Sequence, residues 1–257
     1  MADLLDGKVG LVTGAGSGIG RATSLAAAQE GSKVVVADIA SDSGNETVAM
    51  IKAAGGDASF IETDVSDDQA VQRMIAFALE HYGQLDWACN NAAAAQFGAF
   101  VESTNEQWYS TIAVTLSGVY YCMREQAKVM LSAGGGSIVN ISSSTGVTGT
   151  ALEAVYAAAK GGVEALSKSV AAEYAQYGLR VNSIAPGPIR TPAVDAMFAN
   201  NEELTNKVLG IISARRLGEP EEVAQLVVWL ASDRCNYLNG ESILIDGAAG
   251  ANSVFNN

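Results

Sequence analysis

Tyr156 and Lys160 stand four residues apart in a stretch that reads as a helix, and Ser143 precedes Tyr156 by 13 residues. A spacing of four sets a phenol and an ammonium on one helix face. The cation favours the phenolate and lowers a pKa that starts near ~10. A phenol tuned in this way trades a proton with an alcohol near neutral pH. Ser143 closes a β-branched run. A hydroxyl at the carboxyl end of a strand faces the cleft of an open α/β sheet, where it polarises a carbonyl oxygen. Glu153, three residues before Tyr156, is close enough to touch a substrate hydroxyl.

A second constellation lies near the start of the chain. The first apolar run enters Thr13-Gly14-Ala15-Gly16-Ser17-Gly18-Ile19-Gly20 and then an Ala-rich helix. Such a turn lets backbone approach a ligand, and the helix behind it offers free N–H groups to a pyrophosphate. The spacing is G-x-x-x-G-x-G, on Gly14, Gly18 and Gly20, and its place between strand and helix makes it a dinucleotide signal. Asp38 ends the second apolar run, 18 residues beyond Gly20. A carboxylate there accepts both ribose hydroxyls of adenosine and repels a 2′-phosphate. Neither Ser17 nor Ile39 supplies a cation to offset that. The expected cofactor is therefore NAD(H).

The elements that must hold these groups alternate. Val9–Thr13, Lys33–Ala37, Ala58–Glu62, Leu85–Cys89, Ser137–Ile141, Arg180–Ile184 and Ser242–Ile245 read as strands, several nearly all apolar, as parallel strands covered on both faces are. Gly18–Glu30, Ser43–Ala54, Asp67–Tyr82, Thr104–Ser132, Ala154–Tyr177 and Glu219–Ser232 read as helices, the fourth broken near Val114–Thr115. The alternation predicts an α/β fold: one doubly wound, Rossmann-like domain over residues 1–257, a seven-stranded parallel sheet with helices on both faces. Residues 187–218 break the rhythm and read as a substrate lid carrying Met197.

The Gly-rich turn, Asp64-Val65, Asn90-Asn91-Ala92, Ser143, Tyr156 with Lys160, and Pro186-Gly187 with Thr191 occur in this order. Together they resemble the short-chain dehydrogenase/reductase family in its compact form, from Leu5 to about Gly247. The resemblance implies a homotetramer in which Tyr156 is the catalytic acid/base, Ser143 positions the substrate oxygen, and Lys160 binds the nicotinamide ribose and lowers the Tyr156 pKa. It implies that Asp64 and Val65 meet the adenine, that Asn90 and Ala92 line the cofactor site, and that Ile189 and Thr191 hold the carboxamide. Three positions depart from the family pattern: Ala93 and Ala248 replace glycines, and Thr115 replaces an Asn that supports a water chain from the lysine. Thr115 keeps a hydroxyl with less reach, and is a candidate participant in proton relay.

Composition narrows the rest. The 257 residues are 49% hydrophobic and 17% charged, so the chain is globular, and a net charge of −13 disfavours nucleic acid and anionic membranes. Cys89, Cys122 and Cys235 are far apart and His81 is the only histidine, which gives no metal-ligand cluster and no catalytic triad. Asp67-Asp68 and Glu221-Glu222 read as helix-opening caps. Met1–Lys8 does not read as a signal peptide, and no apolar run reaches ~18 residues, so the expectation is a cytoplasmic protein. The expected reaction interconverts a secondary alcohol and a ketone on a neutral, apolar or cyclic substrate. A 3-oxoacyl thioester reductase and a low-turnover dinucleotide sensor are the other readings.

Overall fold

The computed structural model describes residues 4–199 and 201–251. Among them, seven strands form one parallel sheet: β1 Val9–Thr13, β2 Lys33–Asp38, β3 Ala58–Glu62, β4 Trp87–Asn90, β5 Gly136–Ile141, β6 Leu179–Pro186 and β7 Ser242–Ile245. Their order is β3-β2-β1-β4-β5-β6-β7. The chain winds outward from β1, returns to β4 and winds the other way, so β1 and β4 flank the switch point where such sheets bind ligands.

Helices cover both faces. On one side α1 (Gly18–Gln29), α2 (Ser41–Ala53) and α10 (Pro220–Ala231) bury Ala27, Ile51 and Val227 against Val12, Val34 and Val36. On the other α3 (Asp68–Tyr82), α5 (Gly118–Ser132) and α7 (Ala154–Tyr174) bury Met74, Cys122 and Val163 against Leu11, Val35 and Ile138. Each of these strands is apolar on both faces because each face is covered. The expected break in the fourth helix is real: α4 (Asn105–Ile112) passes through a π-helical turn, Ala113–Ser117, into α5.

Three elements were not foreseen. The five-residue α6 (Ser144–Thr148) starts on Ser143, and the segment after β6 folds into α8 (Pro192–Phe198) and α9 (Glu202–Ile211). Thr191 and Asn201 cap these two by accepting the N–H groups of Val194 and Leu204, with Pro192 opening α8. Strand β4 starts at Trp87 rather than Leu85, although Leu85 is still buried. The tail Ser253–Asn257, which reads from the sequence as a subunit contact or a frayed end, lies outside the described residues.

A polar rung crosses the sheet below the strand ends. Asn90, Asn140, Ser183 and Ser242 stand in register on β4 to β7. Asn90 Nδ2 donates to Asn140 Oδ1 at 2.8 Å, Asn140 Nδ2 to Ser167 Oγ at 2.8 Å, and Ser183 Oγ to Ser167 Oγ at 2.9 Å. Gln126 exchanges two amide hydrogen bonds with Asn90. Asn90, Asn140 and Ser183 are satisfied in this way and specify register, whereas the buried Ser242 hydroxyl has no hydrogen-bond partner among the described residues.

Past β7, Ala248 sits at φ 62°, in the left-handed region that favours glycine. An L side chain there costs of order 1 kcal/mol. Ala248→Gly is expected to stabilise the protein by up to about 1 kcal/mol, read as a higher urea midpoint at unchanged m-value.

Candidate active site

Ser143 follows the buried end of β5 in extended backbone (φ −163°), and its Oγ accepts the Thr145 N–H at 3.2 Å. From the first turns of α7, Tyr156 and Lys160 point to the same place. Lys160 is buried, and its Nζ donates to the Ile141 carbonyl at 2.6 Å and lies 5.6 Å from the centroid of the Tyr156 ring. Ser142 Oγ donates to the Lys160 carbonyl at 3.2 Å, which locks α7 to the end of β5. Ser143, Tyr156 and Lys160 thus converge at the carboxyl edge of the sheet.

The electrostatics differ from the expectation. Burial pushes the Tyr156 phenol up, the Glu153 carboxylate adds to that, and the Ser143 hydroxyl works against it. Burial outweighs the nearby Lys160 ammonium, which is aimed at the Ile141 carbonyl and whose own pKa burial pulls down to about 8. Glu153 is held in place, its Oε2 accepting the Thr145 hydroxyl at 2.8 Å.

Two further expectations need correction. The Thr115 hydroxyl donates to the Ala94 carbonyl at 2.8 Å and accepts the Ala94 N–H at 2.9 Å. Its short, fully buried side chain fastens the loop after β4 and has no donor left for a relay. The Asn90 side chain belongs to the interior rung and does not line a ligand cleft.

The dinucleotide expectation meets a structural test at the Gly-rich turn. Gly14 has φ +62°, and a Cβ there would lie 2.9 Å from the Ala92 Cα; a Cβ on Gly20 would lie 2.1 Å from the Gly14 carbonyl oxygen. Only glycine permits this path. Helix α1 begins at Gly18 behind Ser17 with no side-chain cap and no acidic residue in its first turn, so its N–H groups and positive pole face outward, beside the half-buried Ile19. Asp38 is fixed beside the turn: Oδ2 accepts the Gly16 N–H at 2.7 Å and Oδ1 the Ala40 N–H at 2.9 Å, with Ile39 exposed between them. These residues fit a dinucleotide.

Asn91, which the sequence showed without a role, holds the turn to β4. Its Nδ2 donates to the carbonyls of Thr13 and Gly14, each at 3.0 Å, while Thr13 Oγ1 accepts the N–H groups of Asn91 and Ala92 at 3.1 and 3.2 Å. The signal was an Asn directly after the strand that neighbours β1. Asp64 makes a tight turn with Ser66, and Val65 is buried against Gly118 at the start of α5. Pro186 ends β6, the Gly187 N–H donates to the Ile245 carbonyl, and Ile189 is buried in a bridge to Gly218. Thr191 reaches the Gly-rich turn: a Cβ on Gly18 would lie 3.1 Å from its Cγ2. Met197 is 40% exposed on α8. No group of three or more His, Cys, Asp or Glu side chains among the described residues could hold a metal.

Comparison with known proteins agrees with this geometry. The family model described as Enoyl-(Acyl carrier protein) reductase matches residues 14–249. The chain belongs to the short-chain dehydrogenase/reductase family. It is 39% identical over 249 residues to the cyclohexanol dehydrogenase of Acinetobacter sp. (strain SE19), covering 96% of this chain and 97% of that one. It is 37% identical to the 3-oxoacyl-(acyl-carrier-protein) reductase of Thermotoga maritima, covering 95% of this chain and 98% of that one. The crystal structure of levodione reductase superposes with a TM-score of 0.92 at 33% identity, covering 97% of this chain and 100% of that one. This short-chain dehydrogenase/reductase is an oxidoreductase of the secondary alcohol–ketone type, in a family that binds a nicotinamide dinucleotide.

Burying Lys160 carries a cost that depends on pH. The folded-state pKa of about 8 lies below the free value of 10.5, so the unfolded chain binds the extra proton between them. Stability therefore rises as pH climbs through that window, by on the order of 3 kcal/mol. In chemical denaturation without added dinucleotide, the wild-type urea midpoint is expected to rise between pH 8 and pH 10.5, and this rise is expected to be absent in Lys160→Met, whatever that variant's stability at pH 7.

Proposed function

We propose that this protein is an NAD(H)-dependent dehydrogenase that interconverts a neutral, apolar cyclic secondary alcohol and its ketone. The observation that carries the reading is the convergence of Ser143, Tyr156 and Lys160 beside a Gly-rich turn whose flanking carboxylate, Asp38, is fixed by two backbone N–H groups. A bound nicotinamide supplies the hydride acceptor or donor at its ring C4. Tyr156 Oη gives its proton to the carbonyl oxygen in reduction and takes the hydroxyl proton in oxidation. Ser143 Oγ orients that oxygen, and Lys160 holds positive charge next to the phenol. Of the sequence candidates, Gly14, Ser17, Gly18, Ile19, Gly20, Asp38, Ile39, Asp64, Val65 and Ala92 would hold the adenosine diphosphate half, and Pro186, Gly187, Ile189 and Thr191 the nicotinamide half.

Exposed apolar side chains support the substrate class. Phe97 after β4, Leu152 shortly before α7 and Met197 on α8 are exposed, and the Gly98 N–H donates to the Leu152 carbonyl at 2.9 Å, tying the first two segments together. The Glu153 carboxylate acts electrostatically on Tyr156. An apolar ring beside a carboxylate suits a neutral cyclic alcohol and disfavours an anionic one. The relatives named for cyclohexanol and levodione point the same way. In this reading residues 187–218 are the lid of a single catalytic domain, and the protein works as a cytoplasmic homotetramer.

Tyr156→Phe is expected to lower kcat by about 10²–10⁴-fold on a cyclic alcohol while NAD binding, followed by fluorescence, persists. Turnover of 3-oxoacyl thioesters with no cyclic alcohol oxidised would replace the substrate class. Tight NAD binding with no turnover on either panel would make the protein a sensor. Because like charges brought together cost several kcal/mol, Asp38→Ser is expected to raise the NADP/NAD ratio of kcat/KM by about tenfold or more.

A further inference from the structure

Glu164 lies one helical turn beyond Lys160, so Tyr156, Lys160 and Glu164 form one stripe of α7 at intervals of four. Glu164 is 7% exposed, and both carboxylate oxygens are shielded from solvent with no hydrogen-bond partner among the described residues. A buried carboxylate in that condition is costly unless an opposite charge answers it. Lys160, the buried cation on the same stripe, donates to the neutral Ile141 carbonyl, which leaves its charge unbalanced. We propose that Glu164 is a positioning residue of the proton-transfer site, the internal counter-charge that keeps Lys160 protonated and held against the end of β5. The proposal rests on the assignment of Tyr156 and Lys160 above; Glu164 acts through Lys160 rather than on substrate.

The groups around α7 leave this task to Glu164. Cys89 on β4 faces the ammonium, but burial pushes its thiol up to about 12 and keeps it neutral. Glu153 acts on Tyr156 and is bonded to Thr145. On α5, Arg124 pairs with Asp68 and Glu125, and Lys128 with Glu125. On β6, Arg180 donates to the Leu230 and Ser232 carbonyls. Glu106 and Tyr109 on α4 and Tyr177 after α7 are exposed, while α6 and the π-helical turn hold no titratable side chain. The direction agrees: burial drives Lys160 towards the neutral amine, and Glu164 opposes that.

The test follows Lys160 directly, by NMR of full-length protein labelled with carbon-13 at lysine Cε, without added dinucleotide. The Lys160 signal is assigned by its loss in Lys160→Met. Glu164→Gln is expected to lower the Lys160 titration midpoint by about one pH unit or more, with Glu164→Asp between the two. The alkaline limb of kcat/KM for a cyclic alcohol moves to lower pH in the same order. Coinciding midpoints in wild type and Glu164→Gln would overturn the proposal; if that variant does not fold, an unmoved midpoint in Glu164→Asp does so. A shifted midpoint in a protein that oxidises no alcohol supports the counter-charge and removes the dehydrogenase reading, whereas turnover with an unmoved midpoint does the reverse.

Discussion

The ammonium of Lys160, sealed at the end of β5 and bonded to the Ile141 carbonyl, is the constraint around which the rest is arranged. A charge in that position costs stability, which burial expresses as a lowered pKa. The fold spends apolar burial elsewhere to hold it, and in return a cation stands beside the Tyr156 phenol. Such strain at a site, compensated by the scaffold, is the usual relation between stability and function.

What fixes the cation is the sheet below it. The rung of Asn90, Asn140 and Ser183, closed by Gln126 and Ser167, sets the register of β4, β5 and β6 and ties α5 and α7 to them. A slip of one residue would turn every side chain to the opposite face and leave these amides unpaired. The same registration brings the end of β4 beside β1, where Asn91 and Thr13 shape the Gly-rich turn. Ser143, Tyr156 and Lys160 therefore share one frame with the Gly-rich turn, which in the proposed function lets two distant stretches of sequence act on one pair of reactants.

Two departures from the family pattern have separate physical consequences. Thr115 converts a candidate relay position into a clamp on Ala94, in the π-helical turn that separates α4 from α5. Ala248 places a methyl group where left-handed backbone favours none, just beyond β7. The first fastens the loop after β4; the second costs stability.

Much of this was legible in the residues. Alternating apolar runs and amphipathic stretches determined the strand–helix alternation, because parallel strands must be covered on both faces. The four-residue spacing of Tyr156 and Lys160 determined that they share a face, and the Gly-rich turn declared its ligand through the freedom that only glycine has. Tertiary structure decided the remainder. Whether Thr115 and Asn90 face a ligand or the interior depends on partners such as Ala94 and Gln126, which no local spacing reveals. The direction of the Tyr156 shift depends on burial and on Glu153, since desolvation is set by everything packed around a group and outweighs the nearby ammonium. Sequence determines which charges are neighbours along a helix; only the closed fold decides how much water is left between them.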